Sequence, residues 1–139
     1  MFYKNAIIRQ DNDELRGMLV DMGYKMTIKK SDKYDALLTT KKCVIGMPLK
    51  DNYSDGTEWT LDNFIKGNPD VHDCESNIEL FIALSAFSDN HPQLYRWLVL
   101  RETGEWVQVT NDNFRYISSH YGDYRIPDEG EVILKFNND

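Results

Sequence analysis

The residues best suited to chemistry lie between positions 70 and 75, where a histidine and a cysteine stand among three acids. His72 and Cys74 are two positions apart, and the acids around them are Asp70, Asp73 and Glu75. Imidazole, thiolate and carboxylate all bind zinc, but a zinc site needs four ligands at recognised spacings, and no second Cys/His pair lies nearby. We therefore expect no metal here. The pattern predicts an acidic loop before a helix N-terminus, where the helix dipole favours negative charge.

Nucleophilic catalysis is disfavoured by the surroundings of both cysteines. Carboxylates close to Cys74 disfavour its thiolate, and Cys43 stands in an apolar run typical of a buried, inert thiol. The chain also lacks the phosphate-binding, dinucleotide-binding, zinc-protease and nucleophile-elbow motifs. We therefore expect no catalytic residue and no cofactor. An enzyme or small ligand-binding domain of unfamiliar type is the alternative.

Charge is distributed unevenly along the 139 residues. The chain carries 16 basic and 23 acidic side chains, a net charge of −7. Residues 1–50 hold ten basic and six acidic side chains and residues 51–139 hold six and seventeen, so the two parts carry +4 and −11. The total excludes a uniformly basic nucleic-acid binder. The acidic second part predicts a basic protein partner, including one that itself binds nucleic acid, while the basic first part leaves an anionic ligand open.

Composition places the chain among folded proteins. It is 41% hydrophobic and 12% aromatic, too rich in apolar residues for a disordered chain. The sequence contains no run of about 18 apolar residues, which a membrane span would require. The first residues lack the pattern of a signal peptide. Two cysteines are too few for a disulfide-stapled fold, so free thiols in a reducing compartment are expected. We expect one domain, residues 1–139, in the cytoplasm.

A buried helix at residues 78–87 dominates the predicted fold. Its apolar side chains surround the helix, so it must be covered on most sides. Ser76 and Glu79 have the spacing of a capping box at its start. Runs at residues 36–39 and 43–47 predict strands. We therefore expect an α+β domain in which antiparallel strands pack around this central helix.

Both ends of the chain carry helix-start signals. Near the beginning, Asp11 as N-cap and Glu14 three residues later form a capping box, and Gly23 ends the helix. Near the other end, the run Val-Ile-Leu within residues 131–136 favours a strand. The Pro-Asp-Glu sequence that starts at Pro127 also begins helices, so a helix over this segment stays open.

A hairpin is predicted around the Thr-Gly pair at residues 103–104. A two-residue turn there places Leu98 opposite Val109 and Arg101 directly across from Trp106, where the two side chains can stack. The same register sets two glutamates against each other, so a longer loop is the alternative.

The exposed acids and aromatic residues after position 50 form the candidate site. Aromatic and charged side chains are prominent in protein contacts, so an acidic surface with tryptophans is typical of protein binding. The predicted partner-binding residues are Asp55, Glu58, Trp59, Asp70, Asp73, Glu75, Trp106, Asp128 and Glu129. An acidic surface kept only for solubility is the alternative for the charge, and a structural subunit is an alternative for the function.

Several segments of the sequence carry a resemblance: residues 11–16 with 22–24, residues 73–84, and the short motifs at 95–97 and 104–106. They resemble small accessory proteins of bacterial phages and mobile elements. Proteins of that group include inhibitors of host defence such as anti-CRISPRs. The segments are caps, a buried helix and a hairpin, so the resemblance implies ancestry more than activity. Together with the acidic surface, it leads us to expect a non-catalytic, protein-binding accessory factor in the cytoplasm of a bacterial host, with inhibition of a host defence protein as its specific form. It assigns no role to any individual residue.

Overall fold

The computed structural model describes residues 5–29, 31–41, 43–87 and 93–137 and confirms the α+β class. The helices are α1 (Asp13–Asp21), α2 (Leu61–Lys66), α3 (Ile78–Ser85), α4 (Phe114–Ser119) and α5 (Glu129–Phe136). The strands are β1 (Asn5–Ile8), β2 (Lys25–Met26), β3 (Ala36–Thr40), β4 (Cys43–Met47), β5 (Lys50–Asn52), β6 (Glu58–Thr60), β7 (Val71–Asp73), β8 (Trp97–Leu100), β9 (Trp106–Gln108) and β10 (Tyr124–Arg125). None of the helices in these segments combines the length and apolar character that a membrane span requires.

The largest sheet has the strand order β2-β4-β3-β1-β7. Its centre is antiparallel, because β3 pairs in that sense with both β1 and β4. The two edge strands, β2 and β7, run parallel to their neighbours. The expected antiparallel pairing therefore holds in the centre of this sheet, in the three-stranded sheet β10-β8-β9 and in the hairpin β5-β6, and the large sheet as a whole is mixed.

Side chains of the central strands alternate between two apolar clusters on opposite faces of the large sheet. Ala6, Ile8 and Leu37 belong to an inner cluster with helix α3, whereas Ile7 and Leu38 belong to an outer cluster with α2. This alternation is the period of two of a β-strand. The inner cluster also receives side chains from α1, α5 and the three-stranded sheet, so the two sheets share one core.

Helix α3 is the buried helix that the sequence predicts, since every residue from Leu80 to Ser85 is buried. Its cap is Asn77, whose Oδ1 accepts a hydrogen bond from the Leu80 backbone N–H at 3.1 Å. The predicted capping box of Ser76 and Glu79 is therefore wrong by one position. An N-cap stands directly before the first helical residue, and that residue is Ile78.

Helix α1 begins after Asn12, whose Oδ1 accepts a hydrogen bond from the Leu15 N–H at 2.8 Å. Asp11 is wrong as the cap because its carboxylate binds Arg16, accepting a hydrogen bond from Nε at 2.7 Å. Arg16 is only 8% exposed, and a buried guanidinium needs a charged partner. Gly23, with a φ of 97°, follows the end of the helix as predicted.

The hairpin β8–β9 forms with a longer loop than a two-residue turn. Leu98 lies opposite Val107, two residues from its predicted partner. The ladder closes where the Leu100 N–H donates to the Glu105 oxygen at 2.8 Å. This larger loop is the alternative that the sequence left open. The predicted pairing of Arg101 with the tryptophan of β9 is wrong, because Arg101 lies in the loop.

Residues 131–136 are helical, so the favoured strand is wrong. Asp128 caps α5 by accepting a hydrogen bond from the Glu131 N–H at 2.8 Å, and Glu131 accepts one from the Asp128 N–H at 3.1 Å. This reciprocal capping box stabilises the first turn. Val132, Ile133 and Phe136 then meet the inner cluster at helical spacing, so packing outweighs the strand preference of the run Val-Ile-Leu.

Candidate functional site

An open groove of about 620 Å³ lies between helices α3 and α5 and the three-stranded sheet. We call it the aromatic groove. Six apolar or aromatic and three polar side chains from α1, α3, β8, β9 and α5 line it: Met18, Ile78, Ile82, Trp97, Trp106, Phe136, Glu79, Gln108 and Lys135. A second concavity shares the rim at α3 and α5 and extends to Glu75 and Asn137. Two of the predicted partner-binding residues, Trp106 and Glu75, thus lie along one continuous depression.

Phe136 stands between the two tryptophans of the groove. Its ring centroid is 5.2 Å from that of Trp97 and 6.3 Å from that of Trp106, with an edge-to-face angle of 86° to the latter. The Lys135 ammonium lies 5.6 Å from the Trp106 ring centroid. Such aromatic and cation–π contacts favour particular ring orientations. The three rings remain only half-buried, so the groove presents aromatic surface to solvent.

Asn77 ties the two helices of the groove together. Its Oδ1 caps α3, while its Nδ2 donates to the backbone oxygen of Phe136 near the end of α5. The rim also carries Ile78, which is 41% exposed. One side chain therefore fixes the distance between the start of α3 and the end of α5, and an apolar residue stands open beside it.

Glu75 precedes α3 in a left-handed backbone conformation, with a φ of 54°. Its oxygen accepts a hydrogen bond from the Arg9 N–H at 2.7 Å, and its N–H donates to Asp73 Oδ1 at 2.9 Å. Non-glycine residues adopt this conformation at a cost, and such positions are frequent at functional sites. The backbone of Glu75 is thus held by hydrogen bonds on both sides, while its side chain is exposed.

The Asp73 carboxylate already forms an ion pair within the fold. It accepts hydrogen bonds from Arg9 Nε at 3.3 Å and Nη2 at 2.8 Å, and the same nitrogen contacts Asp62 of α2. The hydrogen bonds that Arg9 donates, to Asp73 first and to Asp62 second, raise the pKa of Arg9 above its ordinary value. Arg9, which follows β1, therefore joins Asp73 of β7 to Asp62 of α2, and Asp73 offers less negative charge to a partner than its position suggests.

Three predicted residues lie on the hairpin β5–β6. Asp55 is exposed in its loop, where hydrogen bonds from Thr57 lower the pKa of Asp55. Glu58 is paired with Lys50 at 3.1 Å. Trp59 packs on the outer cluster, with its ring centroid 6.1 Å from that of Phe64. Trp59 and the groove tryptophans therefore belong to opposite faces of the large sheet.

The remaining predicted residues lie elsewhere on the chain. Asp70 is exposed in the turn between α2 and β7, and Asp128 and Glu129 lie at the start of α5, at the opposite end of that helix from Phe136. The nine predicted residues thus do not share one surface. The structure brings Trp106 and Glu75 to the same depression, and sets the others on the hairpin, on the turn, on β7 and at the far end of α5.

Sequence reasoning missed the greater part of the groove. Trp97 and Gln108 lie opposite each other in the ladder, and Trp106 shares their side of it. Alternation along each strand was the available signal, since residues two apart share a face. Lys135 and Phe136 were hidden by the strand prediction for residues 131–136, because their approach to Trp106 depends on the helix.

The acidic stretch around His72 holds no metal-binding arrangement in this structure. Among the described residues, no group of three His, Cys, Asp or Glu side chains is placed to hold a metal ion. Neither Cys43 nor Cys74 is in a disulfide. Cys74 is buried, with its Sγ 3.9 Å from the His72 oxygen, so its thiol is turned into the fold.

Comparison of the chain with protein-family models, with curated proteins and with solved structures gives no match.

Proposed function

We propose that this protein is a non-catalytic, protein-binding factor that holds a basic segment of its partner in the aromatic groove. The observation that carries the proposal is the open groove lined by Trp97, Trp106 and Phe136, with Glu79 on its wall and Glu75 on its continuation. Half-buried aromatic side chains in a concave surface are the usual anchors of protein interfaces.

The charge around the groove supports a basic partner. Glu75 and Glu79 are both exposed, and the ion pairs between described residues use neither of them. Lys135, the cation on the groove wall, is directed at the Trp106 ring. With a net charge of −7 on the whole chain, the field steers a positively charged surface toward the protein.

The resemblance to accessory proteins of phages and mobile elements makes one class of partner the first to test. We propose a cytoplasmic, nucleic-acid-binding protein of bacterial host defence, whose basic surface the acidic chain would occupy. A nucleic-acid-binding surface carries clustered Lys and Arg, which is the composition that suits Glu75 and Glu79.

The test is capture of partners by the intact protein and by charge-reversed variants. Glu75→Lys and Glu79→Lys, separately and together, change the depression, whereas Glu102→Lys makes the charge change of either single variant on an exposed residue of the β8–β9 loop. We expect a partner retained by wild type and by Glu102→Lys to be lost from the double groove variant. Equal retention by all the variants would refute the groove as the binding site.

A matched measurement separates folding from binding. All three substituted positions are exposed, so unfolding midpoints close to that of wild type are expected for the four variants. Binding of the captured partner should weaken with rising salt, since exposed charges are screened within roughly 10 Å at 0.1 M. Salt-independent binding would contradict the electrostatic part of the proposal.

A further inference from the structure

Strand β9 is an edge of the three-stranded sheet, whose order is β10-β8-β9. Leu98 and Val107 lie directly opposite each other, and the Val109 N–H donates to the Arg96 oxygen at 2.8 Å. Backbone groups in an antiparallel ladder alternate between the partner strand and the opposite side. Residues 105, 107 and 109 therefore direct their backbone groups toward β8, and residues 106 and 108 direct theirs away from it.

Most of these outward groups are available for a further strand. The Gln108 oxygen accepts a hydrogen bond from Asn113 Nδ2 at 2.9 Å. Among the described residues, the Trp106 N–H, the Trp106 oxygen and the Gln108 N–H take part in no hydrogen bond with a loop, turn or side chain. An edge with unpaired donors and acceptors is a template for another strand.

The outward edge of β9 and the aromatic groove are adjacent. The side chains of Trp106 and Gln108 line the groove, so a strand added to β9 would place every second side chain over it. The opposite wall carries the half-exposed Ile78 and the carboxylate of Glu79, and the exposed Glu105 directly precedes β9. Apolar side chains alternating with basic ones suit these surroundings.

We propose that the partner supplies an extended segment, with apolar and basic residues in alternation, that adds to β9 as a fourth strand of this sheet. The inference rests on the proposed function and adds to it the backbone conformation and composition of the bound segment. Main-chain hydrogen bonds to Trp106 and Gln108 would provide affinity, and the aromatic groove would select the alternate side chains.

A synthetic peptide tests the strand directly. The probe is acetyl-Lys-Phe-Lys-Val-Lys-Phe-Lys-amide, compared with its Glu-for-Lys counterpart and with two N-methylated forms, one methylated at Phe and Val and the other at the internal Lys residues. We expect one N-methylated form to bind at least about tenfold more weakly and the other within about twofold of the parent, because only alternate N–H groups face β9. With the Phe and Val side chains over the groove, loss on methylation at Phe and Val indicates an antiparallel strand, and loss at Lys a parallel one.

Backbone amide exchange provides the second readout. On saturation with the lysine peptide, exchange of the Trp106 and Gln108 amides should slow by roughly tenfold or more, while that of Val107, already directed at β8, should change little. If Glu79→Lys weakens binding of the lysine peptide and both methylated forms lose affinity equally, strand addition is overturned and groove binding stands. Failure of the lysine peptide to bind, or equal binding of the glutamate peptide, would overturn the proposed extended basic segment. The proposed function is tested separately, by capture of a partner with the charge-reversed variants.

Discussion

The Lys135 ammonium lies 5.6 Å from the centroid of the Trp106 ring, so a cation of helix α5 rests against an aromatic ring of strand β9. The contact spans two elements whose meeting depends on the helical state of residues 129–136. It also turns the lysine of the groove wall toward the ring, which leaves Glu79 as the carboxylate that a partner meets there.

Replacement of this lysine tests the contact. Lys135→Gln should lower the free energy of unfolding by about 0.5–1 kcal/mol, the value of an exposed cation–π contact, whereas Lys135→Arg should retain most of it. Urea unfolding followed by tryptophan fluorescence measures both. An equal loss in the two variants would show that the cation is not responsible.

Acid sensitivity is expected at the start of α5. Hydrogen bonds from Arg125, at 2.9 and 2.8 Å, and then from the Asp128 N–H lower the pKa of Glu131 below its ordinary value of 4.5. A lowered pKa contributes stability above the unfolded value, and that contribution is lost as the pH falls through the folded value. Glu131→Gln should therefore lower the urea midpoint at pH 7, and the difference from wild type should vanish as the pH falls below 4.5.

Glu102→Gln is the matched control for this experiment, since it removes the same charge from an exposed loop residue. It should leave the midpoint near that of wild type at both ends of the range. A Glu131→Gln difference that persisted unchanged into acid would rule out the ionised carboxylate as its source.

Substitution of two glycines by alanine should change the stability of the fold in opposite directions. Gly17 lies in the middle of α1, where an added Cβ would meet nothing within 4 Å, so Gly17→Ala should stabilise by about 0.5–1 kcal/mol. A Cβ at Gly46 would overlap the Tyr34 ring, so Gly46→Ala should destabilise by about 1–3 kcal/mol. Thermal unfolding distinguishes the signs, and a loss from Gly17→Ala would contradict the helical packing described for α1.

Replacement of Glu75 should affect the stability of the fold and the binding of a partner in different ways. Its left-handed backbone costs roughly 1 kcal/mol in a residue with a Cβ, so Glu75→Gly should keep or raise the free energy of unfolding. The same variant should bind the captured partner more weakly, because the exposed carboxylate is removed. A destabilised Glu75→Gly protein would argue against backbone strain at this position, and undiminished binding would remove Glu75 from the proposed site.

Elements with local signals were predictable from the sequence. The apolar run of α3 required burial on most sides, and the strands at residues 36–39 and 43–47 appear as β3 and β4. Cap positions were less secure, because neighbouring side chains compete for the same role. Asp11 illustrates this: the buried guanidinium of Arg16 takes its carboxylate, and Asn12 caps the helix instead.

Features that the pattern left ambiguous, or that join distant residues, were not predictable from the sequence. The register of the β8–β9 hairpin is set by the loop that closes at Leu100, and pattern alone allowed two registers. The aromatic groove joins Met18, Trp106 and Phe136 across most of the chain. Trp59 and Trp106 both follow a glutamate, yet the fold sends them to opposite sides of the large sheet.

The amide of Asn77 has a consequence for the dynamics of the fold. One side chain satisfies the positive end of the α3 dipole and a carbonyl at the negative end of the α5 dipole. Fraying of α5 would therefore remove one of the two contacts that fix the amide which caps the central helix, and we expect the opening of the two ends to be coupled. The groove is accordingly bounded by two helices that are formed and joined before any partner binds.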